Sequence, residues 1–233
     1  MVAVLIRIFV MADLYHFNKI MEVFVAIAVL SMLIGNLLAL VQKNVKRILA
    51  YSSIAHFGYT LVALVSSREI GPQAATFYVT TYFVTILAAF GLITLISHSD
   101  REASHIKDYK GLFWRKPFLS AVFSIVLLSL AGIPLTAGFM GKYFILTAGV
   151  GGASWLLVFV LVLSSVIGLY YYLRIIATMM KRKKEKVPLA RVFLVFSASG
   201  IFVLAVLGVL IVWLGVYPTW LMDLVNSLFI TVY

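Results

Sequence analysis

The amino-acid sequence predicts an all-α protein, a polytopic bundle of transmembrane helices. Hydrophobic residues make up 64% of the chain, charged residues only 12%, and the mean hydropathy is +1.10. A soluble domain of this size would be unable to hide so much apolar surface. The apolar runs are continuous and do not alternate with polar residues, which argues against a β-barrel. Helices are the remaining way to pair every backbone group in lipid.

The lengths of the apolar runs predict six full spans and a partial one, because a crossing needs about 20 apolar residues. Residues 1–12 are too short to cross, show no signal-peptide pattern, and resemble the second half of a helix whose first half is missing. The full spans are predicted at 21–41, 45–66, 73–97, 117–150, 153–178 and 190–216. We expect one transmembrane domain, 1–233, in which 217–233 is an amphipathic tail along the membrane surface.

The charges predict the orientation of the bundle. The basic segments KNVKR (43–47) and KRKKEK (181–186), and the cations of the loop 98–116, all fall on one side, whereas the other side has little beyond Lys19 and Arg68. The basic loops should therefore be cytoplasmic and the C-terminus outside. The net charge of +11 then reflects orientation, and we expect no nucleic-acid partner. The KRKKEK run could instead bind acidic lipid or a partner protein.

The span 117–150 is too long for one straight helix and contains the segment LAGIPLTAGFMGK (130–142). A continuous helix of that length would measure about 50 Å against a bilayer core of about 30 Å. Pro134 has no amide hydrogen, so it leaves the carbonyl of Leu130 without its usual partner. With Gly132 and Gly138 beside it, Pro134 predicts a helix break inside the membrane.

Lys142 follows this break. A lysine near the centre of a span costs about 2.5–3.5 kcal/mol on insertion scales, and irregular backbone at this depth is tolerated only against protein or water. A break and a charge in one span favour a polar cavity, as in the discontinuous helices of transporters. The alternative is a proline kink with a lysine that snorkels to the interface.

The span 45–66 carries a polar face. Its members recur at helical spacing and are Ser52, Ser53, His56, Tyr59 and Thr60, with Lys46 at the edge of the arc. His56, near the middle of the span, is able to carry a proton near neutral pH. The alternative is a hydrogen-bonded contact between helices, which we favour for the serines and Thr60. For His56 both interpretations stay open.

Other chemistry has little support in the sequence. The chain has no cysteine, which excludes disulfides, thiolate metal sites and iron–sulfur clusters on it. It also shows no metal-ligand spacing, glycine-rich phosphate loop or nucleophile constellation. We therefore expect no metal and no cofactor on this chain.

Four segments resemble a known family. They are GNLLALVQKNVKRILAYSSIAHFGYTLVAL (35–64), YKGLFWRKP (109–117), LSLAGIPLTAGFMGKYFIL (128–146) and IGLYYYLRI (167–175). These segments resemble the antiporter-like proton-pumping subunits of respiratory complex I, and the second and fourth most resemble the N-subunit branch of bacterial NADH:quinone oxidoreductase. The resemblance covers essentially the whole chain.

The resemblance implies a fold of fourteen transmembrane helices built from two inverted repeats, of which this chain matches the second half. It implies that Lys142 is the proton-channel lysine of the second broken helix, that His56 lies in the central hydrophilic axis, and that Lys46 begins the same helix on the cytoplasmic side. The first half-channel has no counterpart in this sequence.

The resemblance also implies a location and partners. The chain would lie in the bacterial inner (plasma) membrane, beside lipid, other membrane subunits of complex I and sister antiporter-like subunits. NADH, FMN, iron–sulfur clusters and quinone would be bound by other subunits, and quinone reduction there would drive proton translocation. Two alternatives remain: a subunit of a multi-subunit sodium/proton antiporter, and a structural or non-functional truncated chain.

Overall fold

The computed structural model describes residues 2–97, 103–182 and 198–230, and over these ranges the chain is helical, with two short 3₁₀ turns and no named strand. The helices in chain order are α1 Val2–Met11, α2 Asn18–Val41, α3 Val45–Ser66, α4 Gly71–Ile96, α5 Leu112–Arg115, α6 Pro117–Ala131, α7 Ala137–Gly151, α8 Trp155–Met180, α9 Ala198–Val216 and α10 Thr219–Ile230. The predicted all-α class is confirmed.

The long helices agree with the predicted spans. Within the described residues, α2, α3, α4, α8 and α9 are each long and apolar enough to cross a membrane. The remaining predicted span, 117–150, is divided into α6 and α7, each of 15 residues. Residues 190–197, where the last span was predicted to begin, lie outside the described residues, as do the predicted loop cations Arg101, Lys183, Lys184, Lys186 and Arg191.

Helix α3 lies inside the bundle. In its most apolar 18-residue window 67% of the residues are buried, against 28–39% for the other long helices. Small residues permit the close packing of α2 on α3. A Cβ atom on Gly35 would lie 2.8 Å from the backbone nitrogen of Ala55, and one on Gly58 would lie 2.9 Å from the carbonyl oxygen of Ala28. The polar face of α3 is therefore turned into protein, not lipid.

The apolar core has two clusters. One is formed by residues such as Leu92, Phe123, Leu127 and Tyr172, and the other by residues such as Met32, Leu161 and Ile145. His56 contacts tyrosines of both clusters, Tyr78 of the second and Tyr172 of the first. The candidate site thus lies where the two clusters meet.

The segment 103–116 is fastened to neighbouring helix ends. Val45 donates its backbone N–H to Ser104 (2.7 Å), and Ile106 donates to Lys43 (3.0 Å), which ties this segment to the α2–α3 connection. Trp114 donates its indole N–H to the carbonyl of Met180 at the end of α8 (2.9 Å). Its ring is 55% exposed, as expected of an aromatic side chain at a membrane interface.

Helix α10 packs against the bundle through Leu221 and Val225, which are 6% and 2% exposed. Its other face is apolar and open, with Trp220, Leu224 and Leu228 exposed. That 217–233 lies along the membrane surface stays a prediction, and residues 231–233 lie outside the described residues.

Candidate functional site

The break in the predicted span 117–150 begins at Gly132, two residues before the proline. Gly132 has φ +84° and donates to the carbonyls of Leu128 and Ser129, while Ile133 also donates to Leu128. This is the Schellman arrangement, in which a left-handed glycine ends a helix. Pro134 lies in the turn that follows, and α7 begins at Ala137. Gly132 therefore ends α6, and Pro134 shapes the connection to α7.

Lys142 turns back from α7 to the end of α6. Its side chain is 7% exposed, and Nζ donates to the carbonyl oxygens of Leu130 (3.2 Å) and Ala131 (2.9 Å). The last carbonyls of a helix have no partner within it and form the negative end of its dipole. The carbonyl of Leu130, which the sequence predicted to be freed by the break, is thus bound by the lysine that follows the break.

Two glycines make this geometry sterically possible. A Cβ atom on Gly132 would lie 2.8 Å from Cδ of Lys142, and one on Gly138 would lie 1.9 Å from the carbonyl oxygen of Ser129. The second distance is far inside van der Waals contact with rigid backbone. Gly138 also donates its N–H to Ser129 Oγ (3.1 Å). Both glycines that were predicted to belong to the break are therefore required by the contacts around Lys142.

An aromatic ring supports the Lys142 ammonium from another side. Nζ lies 5.2 Å from the centroid of the Tyr59 ring, within the range of a cation–π interaction. Among the described residues no aspartate or glutamate is buried. Within that part of the chain, the positive charge of Lys142 is balanced by helix-end carbonyls and a ring, without a carboxylate.

His56 connects three tyrosines. Its Nδ1 lies 2.5 Å from the hydroxyl of Tyr78, its Nε2 lies 3.4 Å from the hydroxyl of Tyr172, and its ring stacks on Tyr82 with centroids 4.7 Å apart. A phenol can donate or accept a hydrogen bond, so this arrangement accommodates either tautomer of the imidazole. His56 is 5% exposed, although it lies on the same polar face as the half-exposed Ser53.

A narrow cavity joins the two predicted site residues. His56 and Lys142 both line it, together with the hydroxyl-bearing Thr81, Thr85 and Ser129. Its size is that of about one water molecule. The structure thus brings together a histidine of α3 and a lysine of α7.

Lys46 is separate from this cavity. It lies in the first turn of α3, ten residues before His56, which corresponds to about 15 Å along a helix axis. Its side chain is partly exposed. The structure therefore places Lys46 at the end of the same helix, and its predicted role in translocation stays a prediction.

Asn36 is a buried polar residue that the sequence reasoning missed. It is 1% exposed in the last third of α2. Its Nδ2 donates to the carbonyl of Met32 (2.8 Å) and to the hydroxyl of Ser164 (2.5 Å), and the hydroxyl of Tyr59 lies 3.3 Å from the same nitrogen. Tyr171 donates to its Oδ1 (2.8 Å). A single amide in a run of about 20 apolar residues was the signal for this residue, because such a group needs partners inside the protein. The sequence reasoning assigned Ser164 and Tyr171 only to close helix packing.

A helical bundle in which a broken helix carries a buried lysine beside a small cavity resembles the membrane transporters that have discontinuous helices. Residues 1–168 match the family model described as NADH:quinone oxidoreductase/Mrp antiporter, transmembrane, and the chain belongs to this family. The predicted resemblance is confirmed at the level of the family.

Individual relatives agree with the family. NADH-quinone oxidoreductase subunit N of Ectopseudomonas mendocina is 45% identical over 227 residues, which are 97% of this chain and 46% of that protein. A chain of respiratory complex I from Thermus thermophilus superimposes with a TM-score of 0.74 at 32% identity, covering 87% of this chain and 45% of that one. A chain of the Mrp complex from Dietzia has a TM-score of 0.79 at 21% identity, a likeness of fold alone, with 89% and 46% covered. This chain therefore spans somewhat less than half the length of these relatives.

Proposed function

We propose that this chain is a membrane subunit of a proton-translocating NADH:quinone oxidoreductase and that it contributes one proton half-channel. The observation that carries the proposal is the position of Lys142, a buried amine bound to two helix-end carbonyls and open to a cavity that it shares with His56. An ionisable residue inside a membrane segment marks an ion or proton pathway by default. The likeness to subunit N of Ectopseudomonas mendocina supports the choice of complex.

In this proposal Lys142 is the group that loads and releases the proton. The neutral amine accepts a proton from water in the cavity, and the ammonium is then held by the carbonyls of Leu130 and Ala131. Release requires that this contact weaken, because burial without compensation disfavours the charged form. His56 exchanges protons with water in the same cavity and passes them on through the hydroxyls of Tyr78 and Tyr172.

The energy would come from quinone reduction in other subunits. NADH, FMN, iron–sulfur clusters and quinone would be bound there, and sister antiporter-like subunits would be neighbours in the bilayer. The membrane would be the bacterial inner membrane, with the basic loops in the cytoplasm and the C-terminus outside. In the described residues no three histidine, aspartate or glutamate side chains lie together as a metal site.

A second candidate is a subunit of a multi-subunit sodium/proton antiporter. The family model covers both kinds of complex, and the Mrp chain from Dietzia shares the fold. Such a complex would exchange sodium for protons without oxidising NADH. The two functions therefore differ in the subunits that co-purify with the chain. They also differ in the energy source, which is NADH oxidation in the first and an ion gradient in the second.

The experiment is purification from the native host through a C-terminal tag. We expect NADH:quinone reductase activity in the eluate, and in vesicles a proton gradient that NADH generates and that Lys142→Ala lowers. Sodium-driven proton movement without NADH oxidation would favour the antiporter. An eluate with neither activity, or a Lys142→Ala variant that pumps like the wild type, would contradict the proposal.

A further inference from the structure

The Lys142 ammonium rests against the face of Tyr59, and the position of that ring depends on a third helix. Tyr59 belongs to α3 and Lys142 to α7, and the 5.2 Å between the ring centroid and Nζ depends on the direction in which the Tyr59 side chain leaves α3. A cation is attracted by the face of an aromatic ring, whereas the ring edge carries the opposite partial charge. The orientation of Tyr59 therefore affects how well the site holds the charged lysine relative to the neutral amine.

Two side chains hold the hydroxyl of Tyr59. Asn36 Nδ2 of α2 lies 3.3 Å from it, and Ser164 Oγ of α8 lies 3.1 Å from it. The two are themselves joined, since Asn36 Nδ2 donates to Ser164 Oγ at 2.5 Å. The ring is therefore fastened at the end remote from the helix backbone, and the swing of the side chain about its Cα–Cβ bond, which would carry the ring away from Lys142, is restricted.

The amide of Asn36 has only one orientation that satisfies its partners. Nδ2 lies 2.8 Å from the carbonyl oxygen of Met32, which can only accept, so the nitrogen must be on that side. Oδ1 then faces the hydroxyl of Tyr171, which donates to it at 2.8 Å. Because the amide is 1% exposed, water does not compete for these bonds.

We infer that Asn36 is a positioning residue for proton translocation, which orients the Tyr59 ring against the ammonium of Lys142 without touching the proton itself. This inference rests on the proposed function. It differs from a purely structural role in one measurable respect. Loosening of the bundle lowers transport at every pH, whereas a displaced ring changes the pH at which Lys142 stays charged.

The test measures NADH-driven proton pumping against pH in vesicles that contain the whole complex. The variants are Asn36→Leu, which removes the amide, and Tyr59→Phe, which keeps the ring and removes the hydroxyl that holds it. With the ring displaced, the ammonium loses support and Lys142 deprotonates more readily. We expect the alkaline half-point of the pumping profile to move to lower pH by roughly 0.5–1 unit in both variants.

The matched control is Tyr109→Phe. Tyr109 is also fully buried, and its hydroxyl donates to the carbonyl of Ala103 at 2.8 Å in the loop segment remote from Lys142. The Tyr109→Phe variant loses the same hydroxyl oxygen as Tyr59→Phe. The alkaline half-point of its pumping profile should equal that of the wild type.

Lys142→Ala separates this inference from the proposed function. If it pumps normally, the proposed function is wrong. If its pumping falls while Asn36→Leu and Tyr59→Phe keep the wild-type half-point, with or without a uniform loss of rate, the positioning role is wrong and the proposed function stands. Should Asn36→Leu fail to assemble, an unchanged half-point in Tyr59→Phe still overturns the inference, because Asn36 then has no hydroxyl through which to act on the ring.

Discussion

At the scale of single residues, the central question is how Lys142 is tolerated in the membrane. Insertion scales assign a lysine at the centre of a span a cost of about 2.5–3.5 kcal/mol. A hydrogen bond to a charged group contributes about 1.5–3 kcal/mol, and Lys142 makes two of them to Leu130 and Ala131. A desolvated cation–π contact contributes about 2 kcal/mol. The contacts at the break are therefore large enough to offset the cost of the charged lysine.

Gly132 should be intolerant of substitution. In Gly132→Ala the Cβ atom meets Cδ of Lys142 at 2.8 Å, and the residue must adopt φ +84°. We expect a loss of about 1–3 kcal/mol in stability from the backbone conformation and a displaced lysine that no longer reaches both carbonyls. Thermal unfolding of the purified complex and proton pumping in vesicles measure the two effects.

Gly91→Ala is the control for this prediction. Gly91 lies within α4, and its Cβ atom would meet only Cδ2 of Leu204 at 3.4 Å. Its stability and pumping should stay near the wild-type values. Equal behaviour of the two alanine variants would show that Gly132 has no special part in the break.

At the scale of helices, the break between α6 and α7 combines a glycine helix end with a turn that contains a proline. Gly132 ends α6 in the Schellman arrangement, so the carbonyls of Leu130 and Ala131 at that end have no partner within the helix. The turn through Pro134 then leads into α7, and Lys142 in the second turn of α7 reaches these two carbonyls. Irregular backbone within a membrane is stable only when its polar groups are paired by protein or water. Here the side chain of Lys142 makes that pairing, so the proposed proton carrier also stabilises the break.

Pro134 should be less important than Gly132. The helix ends at Ala131 because of the glycine, so the break should persist in Pro134→Ala. The loss of a fixed φ in a turn costs only about 0.4–1 kcal/mol. We expect Pro134→Ala to pump within about fivefold of the wild type, since one kcal/mol is a factor of about five. A complete loss of pumping in this variant would mean that the proline, not the glycine, maintains the break.

The sequence predicted the elements of this site better than their contacts. Apolar length predicted the ends of α2, α3, α4 and α8 to within three residues, because that signal depends only on local composition. Lys142 was recognisable because a charge is costly in a span. Gly132 and Gly138 were recognisable because they lie on either side of Pro134. The role of Tyr59 and Asn36 depends on which helices meet, namely α2, α3, α7 and α8. No local sequence pattern specifies which of these helices pack against one another.

At the scale of the whole molecule, the bundle surrounds one polar helix with apolar ones. Helix α3 carries His56 and Tyr59 toward α4, α7 and α8, while large apolar side chains of α2, α8 and α9 remain exposed. Such faces are suited to lipid or to neighbouring membrane subunits. The arrangement keeps the Lys142 cavity away from the surface of the bundle.

The orientation of the bundle can be measured directly, because the chain has no cysteine of its own. Glu69→Cys and Lys181→Cys each introduce one thiol at an exposed position, at opposite ends of the long helices. In intact cells we expect a membrane-impermeant maleimide to label Glu69→Cys at once and Lys181→Cys only after permeabilisation, since basic loops remain in the cytoplasm. The reverse pattern would invert the proposed topology.

The most direct test of the central claim is the number of protons moved per NADH oxidised. It would be measured in vesicles with the wild-type complex and with Lys142→Met, which keeps a long apolar chain and removes the titratable amine. The account predicts a lower ratio in the variant, because the pathway through this chain is lost. An unchanged ratio in a fully assembled complex would contradict the claim that Lys142 carries protons.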